Sequence, residues 1–137
     1  MTQDELSSLA EAFIEHFSRP YVWDKDMVLM ARDRSRTEWA PKKAGDLISD
    51  DPDALWALML EVLRRDPPAD VIAVLAAGPL EQYLVEHGDN VIARVEAQAS
   101  KDAKFRALLG GVWKRSEMSA ELWARVEACC DRSGWTF

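Results

Sequence analysis

Two histidines, two cysteines and a large set of carboxylates are the residues of this chain that could carry chemistry. A metal site wants His, Cys and acids at ligand spacing. His16 and His87 do not provide it: neither sits in an H-E-x-x-H pattern, and neither has a second histidine one turn away. His87, just before Gly88, reads as a residue near a helix C-terminus, where an imidazolium is favoured. Cys129 and Cys130 lack the C-x-x-C spacing of a redox or zinc pair. Successive helix positions point about 100° apart, so one thiol is expected to face the core and the other its margin. Nucleophile-elbow, Walker and dinucleotide glycine patterns are absent. No catalytic residue, metal ligand or cofactor is therefore assigned, and the chain is not read as an enzyme. The competing possibility is a site in a groove between helices. Glu81, Tyr83 and His87 are close enough in sequence to meet there, although a spacing of six fits one helical face poorly.

Two charged clusters remain. Asp46, Asp50, Asp51 and Asp53 are the densest group of acids. Their plain role is capping and first-turn acidity at a helix starting with Pro52. Their sharper role is an acidic patch for a basic partner. A calcium loop would need a glycine turn that this stretch lacks. Arg32, Arg34 and Arg36, with Lys42 and Lys43, form the one basic concentration, and Trp39 lies among them. Arg beside Trp is a frequent hot-spot composition at protein interfaces and also suits single-stranded nucleic acid. The plain alternative is a solvated loop whose Trp anchors in the core.

These clusters must be positioned by a chain of 137 residues with 48% hydrophobic content and six Trp. That is one domain's length, with enough apolar surface for a core without disulfides or metal. The net charge of −7 disfavours a nucleic-acid binder working through backbone neutralisation and permits a basic protein partner. Met1 to Phe17 has no basic n-region or apolar h-region, so no signal peptide is expected. No run approaches the ~20 apolar residues of a membrane span, and the cytoplasm is the expected location.

Periodicity predicts an all-α fold: a compact stack of short antiparallel helix pairs, helical-repeat-like, with about seven or eight helices. Thr2-Gln3-Asp4-Glu5 reads as a capping box. Leu6, Leu9, Ala10, Phe13, Ile14 and Phe17 follow on one face. The expected organisation is a single helical domain over 1–137. It comprises an amphipathic helix over 1–18, an irregular segment over 20–40, stacked short helices over 41–131, and a tail over 132–137 able to fold back. Pro41 to Ile48 reads as a short helix. Asp51-Pro52 starts a wide apolar helix to about residue 65. Gly78 suits the left-handed position that ends a helix over 69–77, and Pro79 starts the next. His87-Gly88 is expected to stop that helix, with another over 89–99. Ser100 is expected to cap a helix ending at Gly110-Gly111, and Ser119 to cap the last. The pairs are then 52–65 with 69–77, 79–87 with 89–99, and 101–109 with 120–131.

Asp51-Pro52, Leu55-Trp56, the Ala76-Ala77-Gly78-Pro79-Leu80-Glu81 junction, Leu84 and His87-Gly88, with Phe105-Arg106 and Trp113, together resemble an uncharacterised bacterial all-helical domain family of unknown function. The resemblance spans roughly residues 39 to 126. It implies a small, mostly helical cytoplasmic protein and supplies no activity.

The expected function is a small acidic protein-binding module, of the kind that as an immunity or inhibitor protein neutralises or regulates a larger partner through surface complementarity. Its candidate contacts are Arg32, Arg34, Arg36, Trp39, Asp46, Asp50, Asp51 and Asp53. The expected partner is a protein with a basic surface. Nucleic acid ranks below it, no membrane association is expected, and the oligomeric state is left open.

Overall fold

The all-α expectation holds. The computed structural model describes residues 1–18 and 35–135; 77% of it is helical, and no strand occurs among the described residues. In chain order the helices are α1 (Gln3–Ser18), α2 (Trp39–Asp50), α3 (Pro52–Arg64), α4 (Ala69–Leu75), a π-helical segment (Ala76–Leu80), α5 (Glu81–Lys101), α6 (Ala103–Leu109) and α7 (Ala120–Cys129). The chain forms two compact units, Met1–Val71 and Ile72–Phe137.

In the first unit, Thr2 caps α1 as its sequence suggests: the Glu5 N–H donates to Thr2 Oγ1 at 3.1 Å. Leu9 and Phe13 of α1, Ala40, Ala44 and Leu47 of α2, and Leu55, Leu58, Met59 and Val62 of α3 form the buried core. The three helices pack against one another in all three pairings. Helix α2 begins at Trp39, before the Pro41 that the sequence suggests, because Pro41 falls in the first turn, where its missing N–H breaks no helical bond. Asp51 ends α2 and caps α3 with its carboxylate, which accepts the Ala54 N–H at 3.1 Å. Asp51→Ala is expected to lower stability by about 1 kcal/mol, measurable by urea denaturation; an unchanged midpoint would mean that the cap contributes nothing.

The second unit departs from the expected punctuation. Gly78 does not end a helix, since no described glycine has positive φ. The backbone stays helical from α4 into α5, and Pro79 is absorbed by the π segment. A proline inside an α-helix lacks the N–H and pushes its ring at the carbonyl four residues back. Widening the turn relieves that clash without stopping the helix. Gly88 is likewise no stop: it lies inside the 21-residue α5. A Cβ there would come 2.4 Å from Leu122 Cδ2, so its bare backbone lets α7 approach closely. The helices expected over 79–87 and 89–99 are thus one. Ser100 is not a cap either; its hydroxyl donates to the Ala97 carbonyl at 2.7 Å. Asp102 caps α6 instead, accepting the N–H groups of Lys104 and Phe105 at 3.0 and 3.2 Å. Ser119 caps α7 as expected. Both α6 and α7 pack against α5. Leu80, Leu84, Val95, Phe105, Leu108, Leu109 and Val126 are buried between these elements.

Candidate functional site

The backward extension of α2 brings together two groups that the sequence keeps apart. Trp39, Lys43, Asp46 and Asp50 recur at intervals of four, three and four. That spacing puts them within a narrow stripe on one helical face. All four are exposed, while Ala40, Ala44 and Leu47 lie about a quarter-turn round the helix, on its buried face. Eleven steps of 1.5 Å each from Trp39 to Asp50 make the stripe about 16 Å long. Trp39 is 46% exposed, one of three large hydrophobic side chains so open among the described residues. It does not anchor in the core, which was its plain alternative.

The stripe runs directly into the acidic turn. Asp53 is exposed and Asp51 is half-buried by its capping role. Residues 1–71 carry 15 Asp and Glu against nine Lys and Arg; residues 72–137 carry nine against eight. Nearly all of the chain's net charge therefore belongs to the unit that holds the stripe. Of the basic candidates, Arg36 is exposed, with its guanidinium 3.8 Å from Glu15. Arg32 and Arg34 lie outside the described residues.

The same unit holds a charge network around the buried Glu61 that the sequence does not single out. Glu61 accepts from Arg64 Nε and Nη2 at 3.0 and 2.6 Å and from Arg65 Nε at 3.0 Å. Arg65 also donates to Ser7 on α1 at 2.6 Å. Hydrogen bonds from the two guanidiniums hold the Glu61 carboxyl down at about 2. The i, i+3 and i, i+4 spacing was visible in sequence; the burial was not. His16 is buried too, its Nδ1 2.9 Å from Thr37 Oγ1.

In the second unit, Glu81 and His87 take different partners. Glu81 is buried at the end of the π segment and lies 3.9 Å from Arg115. His87 sits inside α5 with its ring 6.0 Å from that of Tyr83, which corrects its reading as a C-terminal residue. Arg94 donates to the Tyr83 hydroxyl at 3.3 Å. Both cysteines are free and half-buried, so neither faces the core fully. Burial, with Glu96 and Cys130 nearby, pushes the Cys129 thiol above its ordinary range, opposite to the activation a nucleophile needs. No His, Cys, Asp and Glu cluster able to hold a metal occurs among the described residues. No described helix is long and apolar enough to cross a membrane.

A family model matches residues 22–134, and the family it describes is one of unknown function, DUF6869. No curated protein and no solved structure matches the chain.

Proposed function

The chain belongs to this family of unknown function, and we propose that it is a small protein-binding module that docks a partner with a basic surface onto α2. The stripe of Trp39, Lys43, Asp46 and Asp50 carries this reading. Trp39 is the anchor: a large, rigid side chain that loses little conformational freedom when a partner pocket covers it. Asp46 and Asp50, with Asp53 beyond them, steer a basic surface and set its register. An immunity or inhibitor protein neutralising a larger enzyme works through this kind of complementarity.

The test is affinity capture at low salt, with the stoichiometry of any retained partner measured. A stoichiometric basic partner is expected. Its complex should weaken as salt rises through physiological strength, because exposed pairs are screened over about 8 Å there. Trp39→Ala should weaken it by roughly 30-fold, the loss typical of a central hot spot, while leaving the helical circular dichroism unchanged. Absence of any stoichiometric partner at low salt would count decisively against the module.

A second reading places a ligand site beside Glu81. The observation favouring it is a buried carboxylate at a π-helical segment, a feature frequent at functional sites. Under that reading Glu81→Gln abolishes an activity or a ligand's binding and leaves partner capture intact.

A further inference from the structure

Cys129 and Cys130 are the only cysteines of the chain, and both are free. Cys129 is the last residue of α7, and Cys130 is its C-cap, where the backbone turns extended. Both are half-buried at the margin of the helix. Each thiol donates to the carbonyl three residues back, Cys129 Sγ to Val126 at 3.6 Å and Cys130 Sγ to Glu127 at 3.7 Å. Both sulfurs therefore lie over the last turn of α7, about 100° apart around it. A thiol is a weak donor, so giving up either bond costs little.

Two thiols on neighbouring residues suit a ligand held by two sulfurs and no more. Structural zinc wants four protein ligands. The sequence has no third thiol, and no His, Cys, Asp and Glu cluster among the described residues completes a metal's shell. A disulfide between the pair is strained, because consecutive Cα atoms are about 3.8 Å apart, below the usual range of about 4.4–6.8 Å for bridged cysteines. One atom set between the sulfurs enlarges the ring and lifts that constraint. The atom must be soft and thiophilic, with two exchangeable positions. A monosubstituted trivalent arsenical has both, as two As–OH groups. We infer that Cys129 and Cys130 form a dithiol site that chelates a monosubstituted trivalent arsenical. In each of two condensations an arsenic–oxygen bond breaks, an arsenic–sulfur bond forms, and the thiol proton leaves with the hydroxide as water. No electron is transferred, so no oxidant is needed. The net reaction consumes thiols, which fits the Cys129 thiol, held above its ordinary range by burial. A dication would need both thiols deprotonated first. The site requires neither α2 nor a partner protein, so it stands or falls apart from the binding module.

The probe is phenylarsonous acid, added in equimolar amount to the reduced full chain and followed by intact mass. One phenylarsenic group per chain is expected, with both thiols then closed to iodoacetamide and the helical circular dichroism unchanged. A millimolar excess of glutathione, a monothiol, should leave the group bound, whereas 2,3-dimercaptopropanol should remove it. Cys129→Ser and Cys130→Ser each leave one thiol. Each should lose roughly 100-fold in apparent affinity, the gain that linking two binding events supplies. Release from the wild type by glutathione, or retention in either variant as firm as in the wild type, overturns the assignment. Loss of helical circular dichroism on binding overturns it too, because the dithiol would then belong to an unfolded chain. The glutathione challenge uses the wild-type chain alone, so it decides even where a variant fails to fold.

Discussion

Gly110→Ala should lower the free energy of unfolding by about 2–3 kcal/mol, at the upper end of overpacking costs. The new methyl would lie 1.9 Å from the Asp131 carbonyl oxygen and 2.6 Å from its carbon. Both are backbone atoms, so no rotamer change relieves the clash. The tail is held there by its own bonds: the Asp131 N–H donates to the Arg106 carbonyl at 3.0 Å, and Trp135 Nε1 donates to the Ala107 carbonyl at 2.7 Å. The Trp135 ring also lies where a side chain at Gly111 would be, 2.5 Å from that position. Gly45→Ala is the internal contrast. Gly45 lies inside α2 with open space around it, so alanine there should stabilise by about 0.5–1 kcal/mol through helix propensity. Urea denaturation of both variants gives the comparison, and equal effects of the same sign would refute the docked tail. Trp135→Ala should add little on top of Gly110→Ala, because both changes release one tail and so are not additive.

The second large effect is at Glu61. Glu61→Ala should cost about 2 kcal/mol at neutral pH, less than the full value of its pKa shift, because Arg64 is largely exposed and solvent screens its share. The pH dependence has a definite sign. The folded-state carboxyl is depressed from 4.5 to about 2, so its stabilisation is fully present above the unfolded value. It is lost as pH falls through the folded one. The difference between wild type and variant should stay constant above about pH 5.5 and shrink steadily toward pH 2. Unfolding free energies across that window measure it. A difference that stays constant down to pH 2 would place the stabilisation in packing and not in the carboxylate. Because Arg65 also bonds Ser7, the variant should loosen α1 on α3, seen as faster amide exchange in α1.

Legibility in sequence followed the range of the interaction. Thr2, Asp51 and Ser119 were readable as caps because a cap involves residues two or three positions apart and little else. Ser100 misled for the same reason: Asp102, two residues on, offers a charged acceptor at the point where the backbone turns extended. Trp39 and the Asp46–Asp53 acids were readable as separate candidates. Their alignment was not, because it depends on α2 starting two residues before Pro41. Sequence punctuation places that proline at the boundary.

By itself the sequence determined the helical class, the apolar faces of α1 and α3, the caps, and a net charge carried mostly by its first 71 residues. These follow from periodicity and local hydrogen bonding, which the chain carries wherever it packs. Gly110 ends α6 as its sequence suggests, but tertiary structure alone decided what Gly78, Gly88 and Pro79 do and which segments the glycines let approach. Gly88, Gly110 and Gly111 serve close approach to Leu122, Asp131 and Trp135, segments more than 20 residues away. Pro79 sits within a continuous helix because burial of Leu75, Ala76 and Leu80 on the surrounding core holds that helix together across the missing hydrogen bond. A stop signal in sequence is a local preference of about 1 kcal/mol for glycine and about 3 for proline, and the burial of several apolar side chains outweighs it.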